Sequence, residues 1–288
     1  MLKTVVFSNQ YQGGTPCVML LGGFDGLHIG HRRLLARAKE RVLPVGVMTI
    51  VGGKGEPLFT TEEREDVFSR LGADFAFELP FEEIKELSPT EFLSLLMENF
   101  QVKAFVCGDD FRFGKNASGT PETLKTSGQV CVEVEKLISV DGEKVSSKTV
   151  KELLKNGNAE KACKLLGEPF FLIGTVEKDR QVGRTIGFPT ANIRYPLGKF
   201  PLKKGVYEGR AEIDGVTYKG IVNYGARPTF NDGEVWTETY FDGFSGDLYG
   251  KRLKIEFVRY LRGVQKFESA DALIKQLEDD LRRVKEND

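Results

Sequence analysis

The sequence predicts an α/β domain built on a parallel sheet, followed by a mainly β domain folded as an antiparallel barrel and closed by a C-terminal helix. Three observations carry this expectation. Short apolar runs alternate with amphipathic stretches of helical spacing through the first half of the chain, the pattern of strand–helix–strand units. Beyond residue 157 that pattern gives way to period-two runs separated by turn residues, as in antiparallel sheets. At 288 residues the chain exceeds what one ordinary core needs, which favours two domains, 1–157 and 158–288.

Each element follows in order. Cys17 to Leu21 is continuously apolar and runs into Gly22-Gly23, the mark of a strand buried on both faces. From His31 to Val42, the residues Leu34, Leu35, Ala38 and Val42 recur at helical spacing. Val45 to Val51 is a second strand. Thr61 to Leu71 is a helix with Glu62 and Glu63 in its first turn, where carboxylates suit the positive end of the macrodipole. Asp74 to Leu79, Val102 to Cys107 and Val130 to Val134 are further strands, with a helix from Pro89 to Phe100 before the middle one. Ligands of such sheets bind at the carboxyl ends of the strands.

Val150 to Leu154 and Ala159 to Leu166 read as connecting helices, broken at Asn156-Gly157-Asn158. Val206 to Ile213 and Val216 to Val222 flank Asp214-Gly215, a dipeptide that favours a type I′ hairpin turn. Val235 to Phe241 and Leu253 to Tyr260 read as another pair, joined through Gly243, Gly246 and Gly250. Ser269 then caps a helix whose stripe is Ala270, Leu273, Ile274, Leu277, Leu281 and Val284.

The composition excludes several classes. Hydrophobic residues make up 40%, too many for a disordered chain. Forty-one basic residues balance 42 acidic ones, which argues against a nucleic-acid coat. No apolar run approaches the ~20 residues that span a bilayer, and the N-terminus turns polar too soon for a signal peptide. Cys17, Cys107, Cys131 and Cys163 lie far apart without a CxxC pair, as expected of idle thiols in a reducing cytoplasm.

The chain's 2 histidines, His28 and His31, stand three residues apart in Leu21-Gly22-Gly23-Phe24-Asp25-Gly26-Leu27-His28-Ile29-Gly30-His31. A strand ends there, glycines turn the backbone, and a helix opens near the second histidine. Its backbone N–H groups favour phosphate, and both imidazoles can reach one anion. Gly30 removes a side chain that would hold a nucleotide away. Zinc would need a third ligand nearby; a helix start without chemistry leaves the histidine and glycine placement unexplained.

Gly23 to His31 resembles the HxGH signature of the nucleotidylyltransferase superfamily. In particular it resembles the FAD synthetase module of bacterial bifunctional riboflavin kinase/FAD synthetases. The resemblance implies a Rossmann-like domain in which His28 and His31 contact ATP and steady charge at the α-phosphorus, with Gly23, Phe24, Asp25 and Gly30 beside the nucleotide. Gly108-Asp109-Asp110-Phe111-Arg112-Phe113-Gly114 resembles the segment that lines the flavin and nucleotide cleft. This implies roles there for Asp109, Asp110, Phe111 and Arg112. It is no Walker A loop, because its glycines are one residue too far apart and Asn116 stands where Ser or Thr should hold magnesium. Val145 to Lys151 resembles the second phosphate-binding signature, implying contacts from Ser146, Ser147 and Lys148. Lys148 stands where Thr is usual and Lys151 where Arg is usual, which leaves open which of the two lysines grips phosphate.

Gly183-Arg184-Thr185-Ile186-Gly187-Phe188-Pro189-Thr190-Ala191-Asn192 reads alone as a loop with a Pro-fixed turn. It resembles the riboflavin kinase signature, which implies that Gly183, Arg184, Thr185 and Gly187 close over ATP while Thr190 and Asn192 hold Mg²⁺ and phosphates. Upstream, Glu177-Lys178 replaces the family's usual His-Gly. Trp236 to Phe241 alternates, with Thr237, Thr239 and Phe241 on one face and Glu238 on the other. Glu238 matches the family's base for the ribityl hydroxyl, with a barrel-interior position expected for it. Gly205-Val206-Tyr207 and residues 223–230 resemble the same family.

The resemblance covers nearly the whole chain. It implies a cytoplasmic enzyme that phosphorylates riboflavin to FMN in residues 158–288 and adenylylates FMN to FAD in residues 1–157. ATP is the co-substrate and Mg²⁺ or another divalent cation the cofactor. The partners are riboflavin, FMN, FAD and ATP, with no nucleic acid, membrane or obligate protein partner. Two rival readings are adenylylation of another phosphorylated acceptor and a barrel that only carries flavin or RNA.

Overall fold

The computed structural model describes residues 2–6, 14–53, 55–178, 182–226 and 234–286. The chain forms two compact units: Met1–Pro57 with Thr61–Ser147, and Leu58–Thr60 with Lys148–Asp288.

The first unit is a six-stranded sheet of β1 (Lys3–Val6), β2 (Cys17–Leu21), β3 (Val45–Val51), β4 (Phe75–Pro80), β5 (Val102–Gly108) and β6 (Cys131–Glu135), in the order β1-β4-β3-β2-β5-β6. Every pairing in it is parallel. All five residues of β2 are buried. Cys17, Met19 and Leu21 join a core with Phe92, Leu93 and Leu96 of the helix Pro89–Asn99. Val18 and Leu20, which alternate to the opposite face, are equally buried, as a sheet covered on both sides requires.

From β2 the chain steps one way to β3 and β4, while β5 and β6 lie on the other side. The crevice at that reversal, beyond the carboxyl ends of β2 and β5, is where such sheets take ligands. A small hairpin of β7 (Ser139–Val140) and β8 (Glu143–Lys144) follows β6.

Two sequence expectations change here. β1 escaped the periodicity because it is four residues long with only Val5 buried. The helix opening at the histidines runs Ile29–Lys39 and stops before Val42, which is 92% exposed. Bonds from Arg41 N to Ala38 O and from Val42 N to Lys39 O tighten its end, and Pro44 disfavours helix beyond.

The second unit is an antiparallel sheet of β9 (Phe170–Thr175), β10 (Ala191–Arg194), β11 (Gly205–Ile213), β12 (Val216–Ala226), β13 (Val235–Phe241) and β14 (Arg252–Arg262), in the order β10-β13-β12-β11-β14-β9. A bridge between Glu177 and Asn192 nearly closes it into a barrel. Tyr207, Tyr224 and Phe257 fill the interior with edge-to-face contacts. The hairpin turn is as predicted, with Asp214 and Gly215 both at positive φ.

The expected pairing of Val235–Phe241 with Leu253–Tyr260 is corrected: β13 pairs with β12 and β10, and β14 pairs with β11 and β9. Period-two alternation fixes which face a strand buries but not which neighbour it takes. Ser269 caps the helix Ala270–Lys285 by accepting from Ala272 N at 3.1 Å. Leu281 and Val284 of that helix pack with Val206, Ile221 and Leu261 on the barrel's outer wall.

The packing division falls ten residues before the one expected at 157/158. The helix Ser147–Lys155 buries Val150, Leu153 and Leu154, and Leu154 O accepts from Lys203 N at 3.2 Å. Phe59, from the short upstream segment of this unit, stacks on Phe170 and Phe171. The ammonium of buried Lys199 stands over these rings.

Candidate active sites

In the first unit the loop after β2 carries two non-glycine residues in the left-handed region, Phe24 (φ 43°) and Leu27 (φ 45°). Such strain persists only where packing enforces it. Both side chains are buried, and the Phe24 ring lies 4.7 Å from that of His31. Phe24 therefore seats a histidine instead of facing the cavity. His28 caps the helix, its Nδ1 accepting from His31 N at 3.3 Å. A nitrogen that accepts carries no proton, so the neutral His28 ring has its hydrogen on Nε2.

The two imidazoles stack at 3.7 Å with an interplanar angle of 14°. A Cβ on Gly30 would stand 3.1 Å from His28 Nδ1, so glycine is what allows this stack. Burial pulls His28 down to about 4 despite the opposing pull of its own backbone and Asp110. Burial, then His28 itself, holds His31 well below the usual imidazole range. His31 Nδ1 is buried without a hydrogen-bond partner.

A cavity of about 370 Å³ opens at this point, lined by Gly23, both histidines, Gly30, Asp110, Phe111, Arg112 and Ser146 among others. Three segments distant in sequence thus meet there. Asp109 is exposed and does not line the cavity; its carboxylate accepts from Leu137 N. Asp25 faces buried Arg64, whose guanidinium is pulled down by burial and supported by Asp25 and Glu78. Ser147 and Lys148 are not on the wall; Lys148 Nζ lies 4.0 Å from Glu152. Lys151 Nζ stands over the Phe200 ring. Sequence reasoning passed over Arg33, Lys136 and the apolar wall of Leu137, Ile138 and Val145. The Asp141-Gly142 turn was the available signal for the β7–β8 hairpin, whose base brings Val145 N to Ile138 O and so joins the two ends of that wall.

Two cavities of the second unit share Thr190. One, of about 310 Å³, lies between the barrel's outer wall and the C-terminal helix and includes Gly183, Thr190, Asn223, Glu238, Arg262 and Leu277. The other, of about 450 Å³, includes Arg184, Thr190, Asn192 and Tyr249. Thr185 and Gly187 line neither. A Cβ on Gly183 would meet Phe188 O at 2.3 Å, so only glycine lets the loop fold back at this point.

Register explains the polar set. Arg262 faces Val206, Val206 faces Asn223, Asn223 faces Glu238, and Glu238 faces Asn192. Residues directly opposite point to the same side of a sheet, so one row crosses five strands. Asn223 Nδ2 donates to Glu238 Oε2 at 3.4 Å.

Glu238 is half-buried on the outer wall, which corrects the interior position expected for it. Its neighbours Thr237 and Thr239 take the buried inner positions. Residues 227–230 of the stretch 223–230 lie outside the described residues. Asn192 Oδ1 is buried without a hydrogen-bond partner, an oxygen open to a cation. No cluster of His, Cys, Asp and Glu able to hold a metal occurs among the described residues. Neutral oxygens completed by phosphates and water suit Mg²⁺.

Comparison with known proteins gives a consistent result. A family model for FAD synthetase matches residues 11–149, and one for riboflavin kinase matches residues 166–287. The bifunctional riboflavin kinase/FMN adenylyltransferase of Bacillus subtilis is 34% identical over 284 residues, covering 91% of this chain and 90% of that protein. The Pseudomonas fluorescens protein of the same description is 34% identical over 275 residues, covering 89% and 88%. A crystal structure from Streptococcus pneumoniae, described as a macrolide-efflux protein, superposes with a TM-score of 0.87 at 28% identity and 98% coverage of both chains. Among the described residues, no helix of the present chain is long and apolar enough to cross a membrane.

Proposed function

The chain belongs to the bifunctional riboflavin kinase/FMN adenylyltransferase family and converts riboflavin to FMN and FMN to FAD; from that premise we propose which residues perform each step. The first unit carries adenylyl transfer and the second carries the kinase. Division at 157/158 or at 147/148 leaves these three cavities whole, since the first ends at Ser146 and the others begin at Val176.

In the kinase, Glu238 takes the proton of the ribityl 5′-hydroxyl as its oxygen bonds to the γ-phosphorus of ATP and ADP departs. Asn223 orients that carboxylate. The observation that supports this assignment is the cross-strand row, which sets Glu238 beside Asn192 without any sequence proximity. Thr190 and Asn192 would hold Mg²⁺, which when bound neutralises charge on the ATP phosphates.

In adenylyl transfer an FMN phosphate oxygen bonds to the α-phosphorus and pyrophosphate leaves. FMN is already ionised, so no base is needed. His28 and His31 steady the charge at the α-phosphorus, with His28 donating from Nε2. Asp110, Phe111, Arg112 and Ser146 complete the cleft. Cys17, Cys107, Cys131 and Cys163 are free thiols, which supports a cytoplasmic setting.

Complementation tests the division of labour. A chain with Glu238→Ala should make no FAD from riboflavin, and one with His31→Ala should stop at FMN. Mixed, they should restore FAD, because FMN released by one feeds the other. A mixture that makes no FAD, although each chain keeps its remaining half-reaction, would overturn separate sites.

A further inference from the structure

We propose that Arg33 binds substrate in adenylyl transfer, its guanidinium gripping the β- and γ-phosphates of ATP and holding the departing pyrophosphate. The proposal rests on assigning the first-unit cavity to adenylyl transfer.

Arg33 lines that cavity together with His28, Gly30 and His31. On the helix Ile29–Lys39 it sits three residues after Gly30, so the two share a face. Bare backbone therefore lies between the imidazole stack and the guanidinium. The first turn of this helix contains no acidic residue. A cation near the positive end of a helix is locally unfavourable, and the imbalance is relieved when a polyanion enters the cavity. Arg32, the neighbouring cation, turns back to Leu27 O at 3.3 Å.

The guanidinium is also braced. Arg33 Nε stands 2.8 Å from Glu135 Oε2, and Arg37 Nε stands 2.6 Å from Glu133 Oε2. Arg41 Nε donates to Glu133 Oε1 at 2.6 Å. Two arginines spaced four apart on the helix, Arg33 and Arg37, and Arg41 just past its end thus meet carboxylates spaced two apart on β6. For Arg33 the contact uses Nε and leaves the terminal N–H groups as a fork, the geometry that suits paired phosphate oxygens.

The second phosphate-binding stretch places neither Lys148 nor Lys151 on the cavity wall. Three cations line the wall: Arg33, Arg112 and Lys136. Only Arg33 shares the histidines' helix. Arg112 directs its NH1 to Phe111 O at 2.7 Å. In the transfer, the bond from FMN oxygen to the α-phosphorus forms as the α–β bridging bond breaks, and its electron pair passes to pyrophosphate. The growing charge needs a fixed cation beside the histidines.

Running the reaction backwards isolates that contact, with FAD and pyrophosphate giving FMN and ATP. In the full chain, Arg33→Gln should raise the KM for pyrophosphate at least tenfold and that for ATP in parallel. The KM values for FMN and FAD should stay unchanged, and Arg33→Lys should recover part of the loss. An unchanged circular-dichroism spectrum and melting profile of the same variant report that the first unit, which carries Arg33, is folded. An unchanged KM for pyrophosphate in Arg33→Gln, or a shift in the KM for FMN instead, would overturn the assignment. His31→Ala is measured alongside. If it leaves FAD formation intact, the cavity assignment falls; if it abolishes FAD formation while Arg33→Gln behaves as wild type, only the role of Arg33 falls.

Discussion

The two sites of this chain are built by opposite means. The site proposed for adenylyl transfer takes its histidine pair from four consecutive residues in the turn that follows one buried strand, where a strained loop and a helix start fix both rings. The site proposed for the kinase takes its polar row from β14, β12, β13 and β10, whose members are distant in sequence and brought together by strand register. A local device tolerates change elsewhere as long as its turn survives. A register device depends on every strand between its members, because a slip of one residue turns each side chain to the other face.

Variants can break or sharpen this contrast. The largest effect is expected for Glu238→Ala, which should slow FMN formation by about 10³-fold, within the usual range for a general base. FAD formation from supplied FMN should be untouched, and joint loss in a coupled chromatographic assay would break the comparison. Next, His31→Ala should cut FAD formation by about 10²-fold, the usual cost of losing one group that steadies transition-state charge. FMN formation should remain at its original rate.

A smaller effect is expected for Asn192→Ala. It should raise the Mg²⁺ needed for half-maximal kinase rate roughly tenfold, comparable to losses at metal sites; an unshifted Mg²⁺ titration would remove Asn192 from the metal.

The subtlest readout is the titration of His28, followed by NMR in a chain with only 2 histidines. Its midpoint should lie near pH 4 in the free protein and rise when ATP binds. Because the folded value lies below 6.5, the unfolded chain takes up the proton first, and stability should fall as the pH drops from 6.5 towards 4. A midpoint near 6.5 in the free protein would mean that the stack is not desolvated.

The same contrast explains what could be read from the chain alone. His28, Gly30 and His31 announce themselves because their chemistry and their spacing are local. The parallel sheet was legible too, since fully buried strands such as β2 show as unbroken apolar runs. Glu238 was named, yet its side of the wall was misjudged. Alternation separates it from Thr237 and Thr239, but only packing shows which face is interior. β10 is four residues long and begins inside a loop signature, so period-two reading had too little to count. Asn223 and Arg262 joined the site only once β12 and β14 were placed beside β11. Arg33 went unnoticed because an arginine on a helix ordinarily reads as a solvated charge.

The upstream triplet Leu58–Thr60 gives the barrel unit a discontinuous ancestry in the chain. During synthesis Phe59 leaves the ribosome more than a hundred residues ahead of Phe170 and Phe171, so its ring must wait, unsheltered, for the partners that bury it. A gene cut at the packing boundary would yield a barrel missing one phenyl group, with Lys199 facing a hole of about one aromatic side chain, a defect that ordinarily costs about 3–5 kcal/mol. The two catalysts can be told apart by their chemistry, yet they are not modules that scissors could separate cleanly.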